Sequence, residues 1–346
     1  MTIGEARALA RRWVDENGVG ASGFMGAFTH GSSNWLPEGA MISPTSDLDV
    51  VVVLDAPGPE VRIGKLLYGG VVLDVSCLAS DAFRSAEAIL GQSHLACSFA
   101  HATVLADDAG RLARLQDEVR RSYTKRNWVR KRCEGVRSRL LGHLDGLNET
   151  VPLHSQVFSW VFGAGLTTHV LLVAGLRNPT VRRRYVAVRG LLADYGLAGF
   201  YPELLELMGA AGLPCACMER HLAALSEAYD AAASVMATPV PFAGDIGEHA
   251  RPIELGVCRE LVEQGLHREA AFWVTVTYSR CEQVLFNDAP PYVRDRHGRG
   301  YRQLLADLGI ASPADLQRRC GEIKAFLPHV WEVAEAIVAA NPSISE

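Results

Sequence analysis

The strongest constraint on the fold comes from four consecutive valines inside the apolar segment Leu48–Leu54. β-branched side chains favour extended strands, and an apolar run without polar alternation is typical of a strand that is buried on both faces. Similar short runs, bounded by Gly, Pro, Ser or Asp, occupy Phe24–Thr29 and Val71–Leu78. We therefore predict three strands that belong to a layered domain of strands and helices.

Helical periodicity surrounds these strands and then takes over the chain. Apolar residues recur at helical spacing in Ile3–Glu16, Glu60–Leu67 and Ser80–Leu90, so strands and helices interleave as far as about Gly110. Beyond that point the strand signals largely vanish and long helical patterns follow. The expected fold class is α+β, with a sheet-containing domain followed by helical domains. The expected domain ranges are 1–110, 111–240 and 245–346.

Prolines and glycines mark the breaks in the helical part. The segment 237–245 contains two prolines and a glycine without periodicity, so we expect it to be a linker. Ser312 followed by Pro313 is typical of a helix start. Pro290-Pro291-Tyr292 and the polar stretch 295–299 are interpreted as an exposed loop.

The composition excludes several classes of protein. The 346 residues are 49% hydrophobic and 21% charged, which is close to the globular average and excludes a disordered or collagenous chain. The 34 basic and 39 acidic side chains give a formal net charge of -5. The molecule as a whole is therefore not a basic binder of nucleic acid or of an anionic membrane, and any basic surface must be local.

Several features point to the cytoplasm. The 8 cysteines are dispersed and form no Cys-x-x-Cys pair, so we expect reduced core residues rather than a disulfide framework or a zinc ribbon. The amino terminus lacks the basic start and apolar stretch of a signal peptide. Polar residues interrupt the apolar segment Val157–Leu176, so a buried helix is favoured over a membrane span.

Three aspartates stand at or inside the predicted strands. Asp47 and Asp49 are two residues apart at the start of one strand, so their carboxylates project from the same face. Asp74 lies in the middle of another apolar strand. Like charges held close together at the edge of an apolar layer are costly unless a cation lies between them. A hard divalent ion with oxygen ligands fits, and Mg²⁺ is typically held by one or two carboxylates together with substrate phosphates.

Gly31 and Ser32 directly follow the strand Phe24–Thr29. A glycine lets the backbone approach a phosphate closely, and exposed amides and a hydroxyl can donate hydrogen bonds to phosphate oxygens. Together with the carboxylates, this arrangement suits a nucleoside triphosphate. Two metal ions at the acids and an in-line attack by a substrate hydroxyl would complete the chemistry.

These residues resemble the nucleotidyltransferase superfamily, which includes DNA polymerase beta, the antibiotic adenylyltransferases and the minimal nucleotidyltransferases. The likeness covers about Phe24–Leu78 and rests on Gly31-Ser32, Asp47-Leu48-Asp49 and Asp74. It implies a mixed sheet with flanking helices. It also implies transfer of a nucleoside monophosphate from a nucleoside triphosphate, with release of pyrophosphate.

The same resemblance implies roles for single residues. Asp47 and Asp49 would hold both metal ions, while Asp74 would hold the catalytic ion and help to deprotonate the acceptor. Gly31 and Ser32 would bind the triphosphate. Ser46, before the first acid, would be an accessory triphosphate contact. The loop between Ser33 and Ser46 is slightly longer than the usual spacing of the family, which removes no ligand.

The expected reaction is Mg²⁺-dependent transfer of a nucleotide, AMP from ATP in the first place, to a hydroxyl of a small-molecule acceptor. The resemblance alone, and no further feature of the sequence, implies an aminoglycoside-like or lincosamide-like antibiotic as the acceptor. Two alternatives stay open. One is transfer to a protein or a tRNA, as in toxin–antitoxin nucleotidyltransferases, and the other is a nucleotide sensor or scaffold without catalysis.

Further polar residues outside the triad are weaker candidates. The basic segment Arg120–Arg132, with Lys125 and Arg126, could contact phosphates, although a solvated helix face is the favoured explanation of such a run. Glu134 and Glu149 are candidate general bases from the helical part. The remaining candidates are favoured as structural residues: Arg137 and His143, which resemble the Arg/His motif of HEPN ribonucleases, His169, and the aromatic cluster Phe272, Trp273 and Tyr278.

Overall fold

The computed structural model describes residues 1–55 and 61–346, which form two compact units. The first comprises Met1–Gly135, Asn178–Thr180 and Pro342–Glu346, and the second comprises Val136–Arg177 and Val181–Asn341. Their boundary falls inside a helix, Arg126–Asp145, and differs from the break that the sequence suggests near Gly110. The helix continues across the unit boundary because no proline and no pair of glycines interrupts its helical periodicity.

The first unit contains a five-stranded mixed sheet among its described residues, so the chain is α+β. In spatial order β3-β4-β2-β1-β5, only the pair β2–β4 is parallel. The valine run lies at the centre of the sheet, where Val50 and Val53 are fully buried. The strands are β1 Phe24–His30, β2 Leu48–Leu54, β3 Val61–Tyr68, β4 Val71–Ala79 and β5 Val104–Asp107.

The predicted helix over Glu60–Leu67 is wrong for the residues that the structure describes there. Val61–Tyr68 is instead the edge strand β3, which pairs antiparallel with β4. Gly69 and Gly70 connect the two strands, with φ of 57° and 88°. Two residues with positive φ between paired strands form the favoured tight hairpin, and such a Gly-Gly pair is a sequence signal for it. Tertiary pairing outweighs the short helical pattern at this edge.

Helices cover the sheet of the first unit. Helix α1 begins with a capping box, in which Thr2 and Glu5 exchange hydrogen bonds with each other's backbone. Its apolar face, including Ala10 and Val14, packs on the strand residues of the core. The helices of this unit are α1 Ile3–Asn17, α2 Ala86–Leu90, α3 Ser93–His101, α4 Arg111–Ser122 and the first half of α5 Arg126–Asp145.

The second unit is helical throughout its regular structure, as the sequence predicts. Helix α14 begins at the predicted Ser312 cap, whose hydroxyl accepts a hydrogen bond from the Asp315 amide. The helices after α5 are α6 Leu153–Ala174, α7 Arg184–Asp194, α8 Tyr201–Leu207, α9 Cys215–Val235, α10 Arg251–Glu254, α11 Gly256–Glu263, α12 His267–Asp288, α13 Pro291–Asp307 and α14 Pro313–Ala340.

Two expectations about loops differ from the structure. The predicted loop at 290–299 is the start of helix α13, because a proline at the first helical position has no amide that needs a partner. The expected linker 237–245 lies within the second unit, where 237–241 is mostly exposed and Phe242 is buried. Its Asp245 is buried, and the Asp245 carbonyl accepts a hydrogen bond from the Tyr229 hydroxyl.

Helix α6 is long and apolar enough to cross a membrane by length and composition. Within the described chain, 83% of its most apolar window is buried inside the protein. The helix therefore fits the core of the second unit.

Candidate functional site

The three aspartates meet at one point of the sheet in the first unit. Asp47 immediately precedes β2, Asp49 is the second residue of β2, and Asp49 lies opposite Asp74 across the parallel pair β2–β4. One carboxylate oxygen of each aspartate lies within 4.8 Å of one oxygen of each of the others. Asp47 and Asp74 are buried, with 3% and 7% of their surface exposed. The predicted convergence of Asp47 and Asp49 on one face thus extends to Asp74 through the strand pairing.

Two cations from β3 contact this triad. The Lys65 ammonium lies 3.3 Å from Asp47 Oδ2 and 2.9 Å from Asp74 Oδ2, and its side chain is 1% exposed. Arg62 donates from Nε to Asp74 Oδ1 at 3.2 Å and from Nη2 to Asp74 Oδ2 at 2.5 Å. Charge-assisted contacts of this kind offset part of the repulsion between the acids. Sequence reasoning missed both residues because it assigned this segment to a helix.

A β-bulge explains how Arg62 and Lys65 reach the same carboxylate. The register between β3 and β4 shifts between Arg62 and Gly64, so Lys65 lies directly opposite Asp74. In a regular strand, residues three apart point to opposite faces, whereas the extra residue of a bulge restores them to the same face. Gly64 has φ of 91° at this point, a conformation that favours glycine.

The carboxylate of Asp49 leaves no space for a side chain at Gly31. The φ of Gly31 is 73°, and a Cβ added to it would lie 2.0 Å from Asp49 Oδ2. His30, the preceding residue, pairs with Asp49 across β1 and β2, so the backbone ladder holds the turn against the acid. The glycine therefore makes room for a carboxylate of the triad, whatever its role toward a phosphate.

A hydrogen-bond network organises the turn after β1. The Gly31 amide donates to Ser98 Oγ at 3.0 Å, and Asn34 Nδ2 donates to the Ser98 carbonyl at 3.2 Å. The Thr29 hydroxyl donates to Asn34 Oδ1 at 2.5 Å. The amide that the sequence assigns to the triphosphate is thus engaged by helix α3. Within this turn, Ser32 begins a short 3-10 helix and is half-buried.

Ser46 lies beside the first acid, as its position in the sequence requires. It is half-buried, and its amide donates to the Ser43 carbonyl at 3.0 Å in the turn that leads into β2. Its predicted role as an accessory triphosphate contact stays a prediction.

His30 is neutral at physiological pH. Burial, followed by the nearby His94, lowers the pKa of His30 to about 4, and the charge of Asp74 opposes this only in part. Its Nδ1 is buried and has no hydrogen-bond partner among the described residues. A neutral imidazole adds no positive charge beside the acids, whereas Lys65, Arg62 and any bound cation do.

The donor set of the triad fits a hard divalent cation. All three side chains offer carboxylate oxygens, the ligand type that Mg²⁺ and Mn²⁺ prefer over nitrogen or sulfur donors. The oxygens are close enough to converge on one ion, and two of the acids are largely withdrawn from water. Asp47, Asp49 and Asp74 are therefore the residues that could hold a metal.

Three of the seven basic side chains in the segment Arg120–Arg132 bind groups of the first unit, while Arg121, Lys125, Arg130 and Lys131 are exposed. Arg120 donates to the Ala100 carbonyl at 2.8 Å, and Arg126 forms an ion pair with Glu346 at 2.9 Å. Arg132 is buried and donates to the Tyr123 carbonyl at 2.6 Å. Lys125 forms a short backbone bridge with Ser345. These contacts hold helices and the chain end together.

The candidates in the helical part each have contacts of their own. Arg137 lies over Trp331 at 5.5 Å, while His143 stacks on Phe162 at 5.7 Å, so the two residues of the HEPN-like pattern have different ring partners. Glu149 is exposed and accepts a hydrogen bond from Gln317, and Glu134 is exposed. His169 is buried, as are the three aromatic residues expected in the core, Phe272, Trp273 and Tyr278.

No family model matches the chain, and no curated protein matches it. A function for this chain therefore has to be inferred from the chemistry and geometry of the site.

Proposed function

We propose that this chain is a metal-dependent nucleotidyltransferase that moves a nucleoside monophosphate, AMP from ATP in the first place, to a hydroxyl of a small molecule. The observation that carries the proposal is the convergence of Asp47, Asp49 and Asp74 at the centre of a mixed sheet. Buried acids that repel one another are costly to fold, so their presence together favours a function that needs them.

The chain's own residues would act as follows. Asp47, Asp49 and Asp74 hold the cation, and Gly31 leaves the space that Asp49 needs. When bound, Mg²⁺ supplies Lewis acidity and neutralises charge on the transferred phosphoryl group. The acceptor hydroxyl would pass its proton to Asp74 while its oxygen forms a bond to the α-phosphorus, and the bond from the α-phosphorus to the oxygen of the β-phosphate would break to release pyrophosphate. Ser32 and Ser46 are proposed as triphosphate contacts from the two turns beside the acids.

The acceptor is proposed to be a small molecule rather than a nucleic acid. Binding to a nucleic-acid backbone needs several accessible basic side chains. In the basic segment of the first unit, Arg120, Arg126 and Arg132 already bind groups of the protein itself. That engagement weakens the argument for a tRNA acceptor, which now rests on the exposed Arg121, Lys125, Arg130 and Lys131 of the same segment.

The test is a transfer assay with Mg²⁺ and four α-labelled nucleoside triphosphates, against a cell extract divided into small-molecule, protein and RNA fractions. We expect label from ATP in the small-molecule fraction and none with Asp49→Asn. Asp81→Asn, the same change on an exposed residue of the first unit, is the matched control and should retain transfer.

Other outcomes identify the alternatives. Label in the RNA or protein fraction would reject the small-molecule acceptor and keep the reaction. Metal-dependent triphosphate binding without transfer to any fraction would replace the enzyme with a nucleotide sensor. Equal transfer by wild type and Asp49→Asn would reject the site.

A further inference from the structure

Lys65 occupies a place that a metal ion would otherwise share. Its ammonium bridges Asp47 and Asp74, the buried members of the triad, and its side chain is almost fully enclosed at 1% exposure. A lysine buried to this degree stays charged only beside acids that compensate it. Lys65 is therefore a buried member of the acidic cluster and not a surface residue.

The backbone fixes this position. Lys65 pairs directly with Asp74 in the antiparallel ladder β3–β4, and Asp74 in turn lies opposite Asp49 across β2–β4. The bulge between Arg62 and Gly64 sets the register that points Lys65 at the acids. Because bulges re-aim side chains near functional sites, this one is the structural cause of the lysine's placement.

Charge limits what the cluster can accept. Asp47 and Asp74 contact the Lys65 ammonium, Asp74 also contacts the Arg62 guanidinium, and Asp49 completes the triad. These five side chains together carry one net negative charge. One divalent cation would turn this into one net positive charge, which suits a polyanionic triphosphate. A second divalent ion would have to approach the Lys65 ammonium inside a region of low dielectric, where repulsion between like charges is strong.

We propose that Lys65 is a built-in cation of this site, so that the triad takes up one divalent ion and Lys65 supplies the charge that a second ion would provide. This inference rests on the proposed function, and it changes the expected two-ion arrangement to one ion with a lysine. Lys65 acts beside the phosphates as a fixed positive charge, while Asp49 and its neighbours hold the ion.

The experiment counts Mn²⁺ ions by native mass spectrometry of the full chain. The probe is Mn²⁺ together with an ATP analogue whose α,β bond cannot be cleaved. We expect one Mn²⁺ in the wild-type complex, two in Lys65→Met and one in Lys65→Arg, which keeps the charge. Arg84→Met, the same loss of a positive charge on an exposed residue of the first unit, is the matched control and should retain one ion.

Thermal melting gives a second readout. Lys65→Met leaves the acids without their ammonium, so its melting temperature without metal should fall. Mn²⁺ should raise that temperature more than it raises the wild-type value.

The outcomes separate the two proposals. Two ions in the wild type, or one in Lys65→Met, would overturn the role of Lys65 and leave the proposed function standing. A wild-type complex with no Mn²⁺ would overturn the proposed function itself. The number of Mn²⁺ ions in the wild-type complex tests the one-ion proposal even if a variant fails to fold.

Discussion

The two units bury acidic side chains in different ways. In the helical unit, Glu254 and Asp245 face two arginines, with Arg182 at 3.1 Å from Glu254 and Arg280 at 3.1 Å from Asp245. These four side chains balance in charge. In the sheet-containing unit, two aspartates of the triad contact Lys65 and Arg62, and the five side chains together carry one negative charge. Equal numbers of opposite charges are typical of a structural cluster, whereas an excess of acid among these five side chains favours the binding of a cation.

The largest expected effect is on the balanced cluster. Glu254→Gln leaves two arginines facing one acid inside the protein, which should lower the free energy of unfolding by about 3–5 kcal/mol. Urea denaturation followed by circular dichroism measures this. Glu248→Gln, on an exposed residue of the same unit, should leave stability nearly unchanged. Equal stability of the two variants would show that the balanced cluster does not stabilise the fold.

The unbalanced cluster should instead be sensitive in activity. In Gly31→Ala, the new Cβ would lie 2.0 Å from Asp49 Oδ2, so the carboxylate must move. Displacement of a catalytic group by about 1 Å can cost about 10²-fold in rate, and we expect a loss of that order in nucleotide transfer. Gly39→Ala meets no atom within 4 Å and is the control. Full activity of Gly31→Ala would show that nucleotide transfer does not depend on the position of the Asp49 carboxylate.

Acid should destabilise the helical unit through a histidine away from the proposed site. Burial lowers the pKa of His154 from 6.5 to about 4, so the folded state binds its proton less readily than the unfolded state. The stability from the neutral ring is present above pH 6.5 and is lost as the pH falls toward 4. Between pH 7 and pH 5 this loss should be about 2 kcal/mol.

Urea denaturation at both pH values tests this, and His154→Gln should reduce the difference. His249→Gln, on an exposed residue, is the control and should behave as the wild type. An unchanged difference in His154→Gln would assign the pH dependence to other groups.

The smallest effect is expected at the basic segment. Arg126 pairs with Glu346, whose side chain is 87% exposed, and exposed ion pairs contribute about 0–1 kcal/mol. Arg126→Gln should therefore change the unfolding free energy by less than about 1 kcal/mol and leave nucleotide transfer unchanged. A steep loss of transfer would indicate that Arg126 binds phosphate and would favour a nucleic-acid acceptor.

Much of the fold follows from local signals. The valine run, the helical periodicities and the Ser312 cap predict strands β1, β2 and β4 and most helices, because side-chain spacing and capping act within a few residues. Strand β3 and the first turns of α13 were predicted wrongly. A short segment with mixed spacing takes the conformation that its partner strand imposes, and a proline pair can open a helix as well as a loop.

The sequence alone predicted that Asp47 and Asp49 converge, since residues two apart in an extended segment point to one face. Asp47 lies just before β2 and meets Asp49 as predicted. The sequence also placed an acid, Asp74, inside a second apolar strand. Only the tertiary structure decided that Asp74 lies beside Asp49, that a bulge points Lys65 and Arg62 at the acids, and that Ser98 engages the Gly31 amide. Register between strands depends on contacts between residues far apart in the chain, which local spacing does not encode.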